Sequence, residues 1–390
     1  MKILLGLLIF SIILVSGCAQ QFQDGELPSY EKTTPTVVNE TASQKTTEST
    51  PSGTPPPPRA QPQPPSGIKI NACTTISLPG TYILINDIEI SSDCIKITTS
   101  NVVFDGNGHK ITATHLATNG ILVNSSISGS TLNNVVVKNV ELSLWENAIY
   151  FESVNNGQVI GNIVGGNDNG ILLSYSNNNI LTGNTADMND YSIRLISSNN
   201  NILTGNTVTS RYLSFSNTGI YLSSSSNNTL TNNNVSENRN GIELSDSSNY
   251  NTLTGNTVDG NYKGSTGIWL SNSSSNTLIG NNVSRNEGEG IELHYFSNNN
   301  TLTGNTVWGG HKYGILLSTS SNNNLMNNNV RGNAVGIYIH DFSNDNILTG
   351  NNAGGIYLKE DSKNNTLISN IGCLLAADEW GRILLGSCLK

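Results

Sequence analysis

From residue 120 to residue 358 the chain repeats itself. A tetrapeptide of the form Gly-Ile-x-Leu, as in Gly219-Ile220-Tyr221-Leu222 and Gly241-Ile242-Glu243-Leu244, returns at a mean spacing of about 23.5 residues. A second module alternates with it: Asn-Asn-Ile-Leu-Thr-Gly-Asn stands at 178–184 and again at 200–206. Short apolar pairs at this period, with no helical stretch between them, predict a solenoid in which each repeat is one coil. The fold class expected is therefore all-β, with about 11 to 12 coils.

The two apolar residues of Gly-Ile-x-Leu are two apart, so both point to one side of a strand and the middle residue to the other. Stacking turns Ile and Leu into dry interior columns and leaves the middle position facing solvent. The second module predicts one Asn per coil, at 139, 162, 184, 206, 233, 256, 281, 305, 328, 351 and 370. Like residues stacked at strand spacing can hydrogen-bond along the stack, and Asn tolerates the left-handed conformation of a tight corner.

These repeats, together with Asn101-Val102-Val103-Phe104-Asp105-Gly106-Asn107-Gly108-His109, resemble the NosD-like right-handed parallel β-helix proteins. That grouping overlaps the carbohydrate-binding and sugar-hydrolase β-helix domains. The resemblance covers about 70–370 and implies a right-handed coil. It is specific for fold and weak for activity, since β-helices share stacking positions and differ in what they bind or cleave.

The chain begins Met1-Lys2, followed by an uncharged apolar run over residues 3–15, too short to span a bilayer and suited to a secretory signal. Val15-Ser16-Gly17-Cys18 resembles the lipobox of prokaryotic lipoproteins, which implies a signal peptide at 1–17 and acylation of Cys18. Residues 18–67 are rich in Thr, Pro and Ser with few large apolar groups, so they read as a disordered stalk. The β-helix is assigned to 68–372 and a C-terminal cap to 373–390. The location expected is the cell surface or a periplasm-equivalent space, with the membrane as partner through Cys18.

Four further cysteines fall in two local pairs, Cys73 with Cys94 and Cys373 with Cys388. In an oxidising compartment they read as disulfides stapling the two ends, with free thiols as the alternative. None lies in a CxxC, and no metal site or cofactor is expected. The net charge of -9 and 19 scattered Lys and Arg residues give no stripe for phosphates, which argues against nucleic acid as a partner.

The outward column of the Gly-Ile-x-Leu strands carries Tyr221, Glu243, Trp269, Glu292 and Tyr338. Aromatic faces and carboxylates along one wall suit a polysaccharide, the first as platforms for sugar faces and the second as acceptors for hydroxyls. Longer repeats place Arg211 and Tyr212, Tyr262, and Trp308, His311 and Tyr313 at one corner beside this column. Glu243 and Glu292 lie two coils apart, roughly 9 to 10 Å, near the upper limit for an inverting glycosidase. Nothing in the pattern raises the pKa of either, so catalysis by this pair is the weaker expectation.

The leading expectation is a surface protein that binds polysaccharide or another cell-envelope glycan. A lyase, hydrolase or epimerase using the same face and a structural or adhesion rod stand as alternatives. His294 and His340 are two coils apart with Ser318 between them, which disfavours the copper role that the NosD name suggests. Nothing in the pattern speaks to oligomeric state.

Overall fold

The structure is a computed structural model. It describes residues 67–127, 129–210, 217–261, 264–377 and 383–389, with 116 and 375–389 as backbone alone. The signal, Cys18 and the stalk lie outside the described residues.

Each turn of the chain lays down three short strands, one in each of three parallel stacks. In one turn these are Ile180–Thr182, Thr185–Asp187 and Tyr191–Ile196. The first stack contains 14 strands in strict chain order, which gives about 13 turns. That is more than the repeat count suggested. Gly-Ile-x-Leu begins only at Gly120, whereas the coil already starts at Ile68–Ile70.

Register is in step from turn to turn. Leu181 pairs with Leu203, Leu203 with Leu230 and Leu230 with Leu253 in the first stack. Val208 pairs with Val235 in the second, and Ile193 with Ile220 and Leu195 with Leu222 in the third. All these side chains are fully buried. A typical turn therefore sends four aliphatic groups inward, one from each short strand and two from the long one, and stacking makes them one continuous core.

The corners are polar and equally buried. Gly183 turns the chain at φ +63°, a conformation that suits a residue without a Cβ, and Asn184 follows it into the interior. Asn184 Oδ1 accepts from both the backbone N and Nδ2 of Asn162, each at 3.0 Å. Its own Nδ2 donates to Val159 O and to Asn206 Oδ1, both at 2.9 Å. The amide thus makes all four of its hydrogen bonds to the turns above and below, satisfying backbone that the corner would otherwise orphan.

Three such corners carry Asn columns, where the repeats pointed to one. Asn167 and Asn189 stand in the second, Asn189 Oδ1 accepting from Asn167 N and Nδ2, and Asn201 sits in the third between Asn179 and Asn228. At the fourth corner serine does the same work: Ser198 Oγ accepts from Ser176 N and donates to Ile196 O. Asn139 is a correction to the expected column. It adopts φ +53°, the place Gly161 and Gly183 take in later turns, and Val140 N donates to Asn162 in its stead.

At the N-terminal end Cys73 and Cys94 are joined, with Cα atoms 4.4 Å apart on adjacent turns. At the other end the parallel ladder stops: Ile371–Ala377 pairs antiparallel with Ile383–Leu389, which sets Cys388 opposite Cys373. Cys373 is disulfide-bonded, and the Cys388 side chain lies outside the described residues.

Candidate functional site

The third stack has the longest strands, and its outer face carries the chemistry. Through register its central outward column runs Tyr150, Leu172, Arg194, Tyr221, Glu243, Trp269, Glu292, Leu316, Tyr338 and Tyr357. None of these residues is freely exposed, and Leu172 and Leu316 are buried. The expectation that this position faces open solvent is thereby corrected. Bulky neighbours one rung away, together with the residues three before and two after in each strand, shade the column into a narrow strip.

Three groups of side chains occupy the strip. At one end the Arg194 guanidinium lies 4.4 Å from the centre of the Tyr191 ring and 5.6 Å from that of Tyr221. Tyr221 in turn holds Ser245 Oγ at 3.0 Å through its hydroxyl. At the other end Tyr313 and Tyr338 pack at 4.9 Å, His340 stacks on Tyr338 at 4.7 Å, and Tyr357 meets Tyr338 edge-on at 6.4 Å.

Between the two ends, Glu243 and Glu292 flank Trp269 on successive rungs. Asn240 Nδ2 donates to Glu243 Oε2 at 3.0 Å, and Thr266 Oγ1 donates to Glu292 Oε2 at 3.2 Å. His294 Nδ1 is 3.8 Å from Glu292 Oε1. The Glu292 side chain is only 16% exposed. Burial, with Glu289 adding repulsion, pushes its carboxyl up to about 7, and burial likewise raises Glu243. Burial and the nearby His340 hold His294 below the usual imidazole range. The pattern of alternation could not show this, because it gives the direction of a side chain but not what shades it.

Two buried donors in the strip, Trp269 Nε1 and Arg194 Nε, make no hydrogen bond to the protein, and neither does the buried His294 Nδ1. Buried donors of this kind call for an explanation, and a ligand is one.

Of the corner residues singled out by sequence, Arg211, Tyr212 and Tyr262 lie outside the described residues. Trp308 is 48% exposed on the second stack. Tyr313 borders the strip beside Glu289, as its register shows. His311 differs from expectation: it is fully buried in the second corner's polar column, with Nδ1 2.7 Å from Asn286 O, and cannot touch a surface ligand.

The strip also has an aromatic rim that sequence reasoning missed. Tyr295, Phe296 and Phe342 are each about 60% exposed or more, along with Tyr175. The signal was an extra residue before the corner serine, in His294-Tyr295-Phe296-Ser297 where the previous turn has Ser271-Asn272-Ser273. Tyr295 and Phe296 both adopt positive φ, at 46° and 58°, a conformation that bulky side chains disfavour. A separate depression lined by Asp105, Asn107, Asn139, Glu141 and Ile163 has no aromatic wall and lies away from the strip.

The three-stack coil and its corner ladders define a parallel β-helix protein, and the coil is right-handed. Residues 218–371 match the family model described as a right handed beta helix region, and residues 95–282 match the one described as periplasmic copper-binding protein (NosD). The repeats are NosD-like, and the NosD family is periplasmic. No curated protein sequence matches the chain.

Among solved structures, the chain is similar to the A-module of the Azotobacter vinelandii mannuronan C-5 epimerase AlgE4. That likeness has 16% identity and a TM-score of 0.51, over 70% of this chain and 91% of that one. A DFA-IIIase from Arthrobacter chlorophenolicus A6 in complex with GF2 has 14% identity and a TM-score of 0.51, over 64% and 72%. The Dettilon tailspike protein has 17% identity and a TM-score of 0.49; the match covers 78% of this chain but only 62% of the tailspike's length. At such identities the likeness is one of fold.

A copper site does not fit the described residues. His109 is held at 3.0 Å from Asp87, His311 is sealed in a corner, and His340 Nδ1 sits 2.9 Å from Asp341. His294 and His340 are separated by the rung of Ser318. Among the described residues no three His, Cys, Asp or Glu side chains come together as a donor set.

Proposed function

We propose that the chain is an exported protein, lipid-anchored through Cys18, whose third-stack strip binds a polysaccharide or envelope glycan. The observation that carries this reading is the arrangement of the strip. Aromatic groups stand at both ends, carboxyls lie between them, and the buried donors Trp269 Nε1 and Arg194 Nε make no hydrogen bond to the protein. A glycan supplies apolar ring faces for the first and hydroxyls for the others.

The aromatic rim supports the same reading. Holding Tyr295 and Phe296 at positive φ costs roughly 1 kcal/mol each or more, which a polar corner residue would avoid. The fold is shared with a protein named as a mannuronan epimerase, which acts on a polysaccharide. The stalk and anchor would present the strip to material outside the membrane.

The test is affinity electrophoresis and calorimetry of the full-length protein in detergent against a polysaccharide panel. Binding to at least one polymer is expected, weakened about tenfold or more by Trp269→Ala. An absence of binding across the panel would leave only the structural rod.

A further inference from the structure

We infer that Glu292 and Glu243 are the general acid and general base of a hydrolytic site that cleaves an uncharged glycan lying across Trp269, a role that rests on the glycan-binding reading above. The two carboxyls stand on either side of one aromatic platform, on rungs Glu243, Trp269 and Glu292. Two rungs set them roughly 9 to 10 Å apart along the stack. That is too far for a nucleophile and acid of the retaining type at about 5 Å, and near the upper limit of the separation that admits a water for inversion.

Their surroundings divide the roles. Both carboxyls are largely buried; Glu292 Oε2 accepts from Thr266 Oγ1, which leaves its other oxygen towards His294. Burial and the neighbouring Glu289 keep it protonated up to about pH 7, as an acid requires. Glu243 is raised too, but Asn240 and Arg239 favour its ionised form and moderate the rise.

The step balances with water as the only co-reactant. The glycosidic C–O bond breaks as the leaving oxygen takes the Glu292 proton. Water attacks the anomeric carbon from the opposite face and gives its proton to Glu243. Proton exchange with solvent then restores both groups.

Charge selects the substrate. Glu289 adds negative charge beside Glu292, and Asp246 does so beside Glu243 with Arg239 as a counter-charge, so a uronate carboxylate at Trp269 would meet carboxyls on both sides. A β-elimination or epimerisation of uronates needs that carboxylate neutralised, and among the described residues the register puts no cation between the two glutamates. Neutral sugar rings fit.

The test uses the full-length protein in detergent with xylan, mannan, β-glucan and levan, against alginate and polygalacturonate. New reducing ends and unsaturated products are measured by chromatography, the anomeric form of the first product by NMR, and binding on the same samples. At least one neutral polymer should be cut with inversion. Glu292→Gln and Glu243→Gln should each lower kcat roughly 100- to 10,000-fold with binding nearly unchanged.

The rate should fall as pH rises through about 7, where Glu292 loses its proton. The groups that face it are Glu289 and His294 on its own strand, Thr266 and Trp269 on the preceding rung, and Tyr313 and Leu316 on the next. Retained binding without cleavage, cleavage with retention, or turnover that survives either substitution would overturn the inference and leave the binding reading standing. Loss of all binding would remove both.

Discussion

A single corner asparagine shows how much of the fold rests on hydrogen-bond arithmetic. Asn256 Oδ1 accepts from Asn233 N and Nδ2 at 3.0 and 2.9 Å, and its Nδ2 donates to Leu230 O and Asn281 Oδ1 at 2.9 and 3.0 Å. Aspartate has the same shape but no donors, so Asn256→Asp strips two buried acceptors of their partners and adds a charge or a proton to be placed. The expected cost is at least about 3 kcal/mol in a denaturation series. Asn232, one turn earlier, looks identical in sequence but holds φ +53° at the surface, where Gly255 stands in the next turn. Asn232→Gly should therefore stay within about 0.5 kcal/mol of the parent. Equal losses at the two positions would show that the ladder is not what distinguishes them.

At the scale of the strand, crowding explains Gly-Ile-x-Leu. A Cβ on Gly241 would come within 2.5 Å of Gly267 O and closer still to Val258 Cγ1, both from the next turn. Gly241→Ala should cost about 1–3 kcal/mol by overpacking. Ser192 occupies the same column, and its hydroxyl is buried without a partner. Ser192→Ala should be neutral or stabilising by about 1 kcal/mol, as read by thermal unfolding. A stabilised Gly241→Ala would mean that neighbouring turns spread more easily than the register implies. The period was legible because every turn must return the same aliphatic group to the same spot, as Leu181, Leu203 and Leu230 do. The misassigned Asn139 shows the limit of such legibility. Asn serves both the left-handed turn and the ladder beside it, so composition does not tell one corner position from the next. The strip was legible as a column, since Glu243, Trp269 and Glu292 follow from alternation. The shading of Glu292 was not, because it depends on the widths of Trp269 and Leu316 on neighbouring rungs.

Over the whole molecule the crowded column has two ends, and cysteines occupy it there. Register sets Cys94 beside Ile95, which pairs with Ile121, so Cys94 stands where Gly120 stands one turn later, and Cys73 takes the place before it. At the far end Cys373 pairs with Gly355. At the C-terminal end the following turn that crowds the column is missing, so Cys373 is admissible there, and the ends of a solenoid are also where fraying begins. The bond between Cys73 and Cys94 closes a segment with a sequence separation of 21 residues, and for a loop of that size chain entropy gives about 3 kcal/mol. Each turn touches only its neighbours, so this contribution should remain local. In Cys73→Ser, hydrogen exchange should quicken over the first two turns, residues 68–97, while amides near Leu253 and Leu302 keep their protection. The overall melting temperature should fall little, since the interior turns hold one another. Uniform loss of protection along the coil would mean that the stack unfolds as one unit from its N-terminal end, so that the staple governs the strip as far as Trp269, more than 150 residues away.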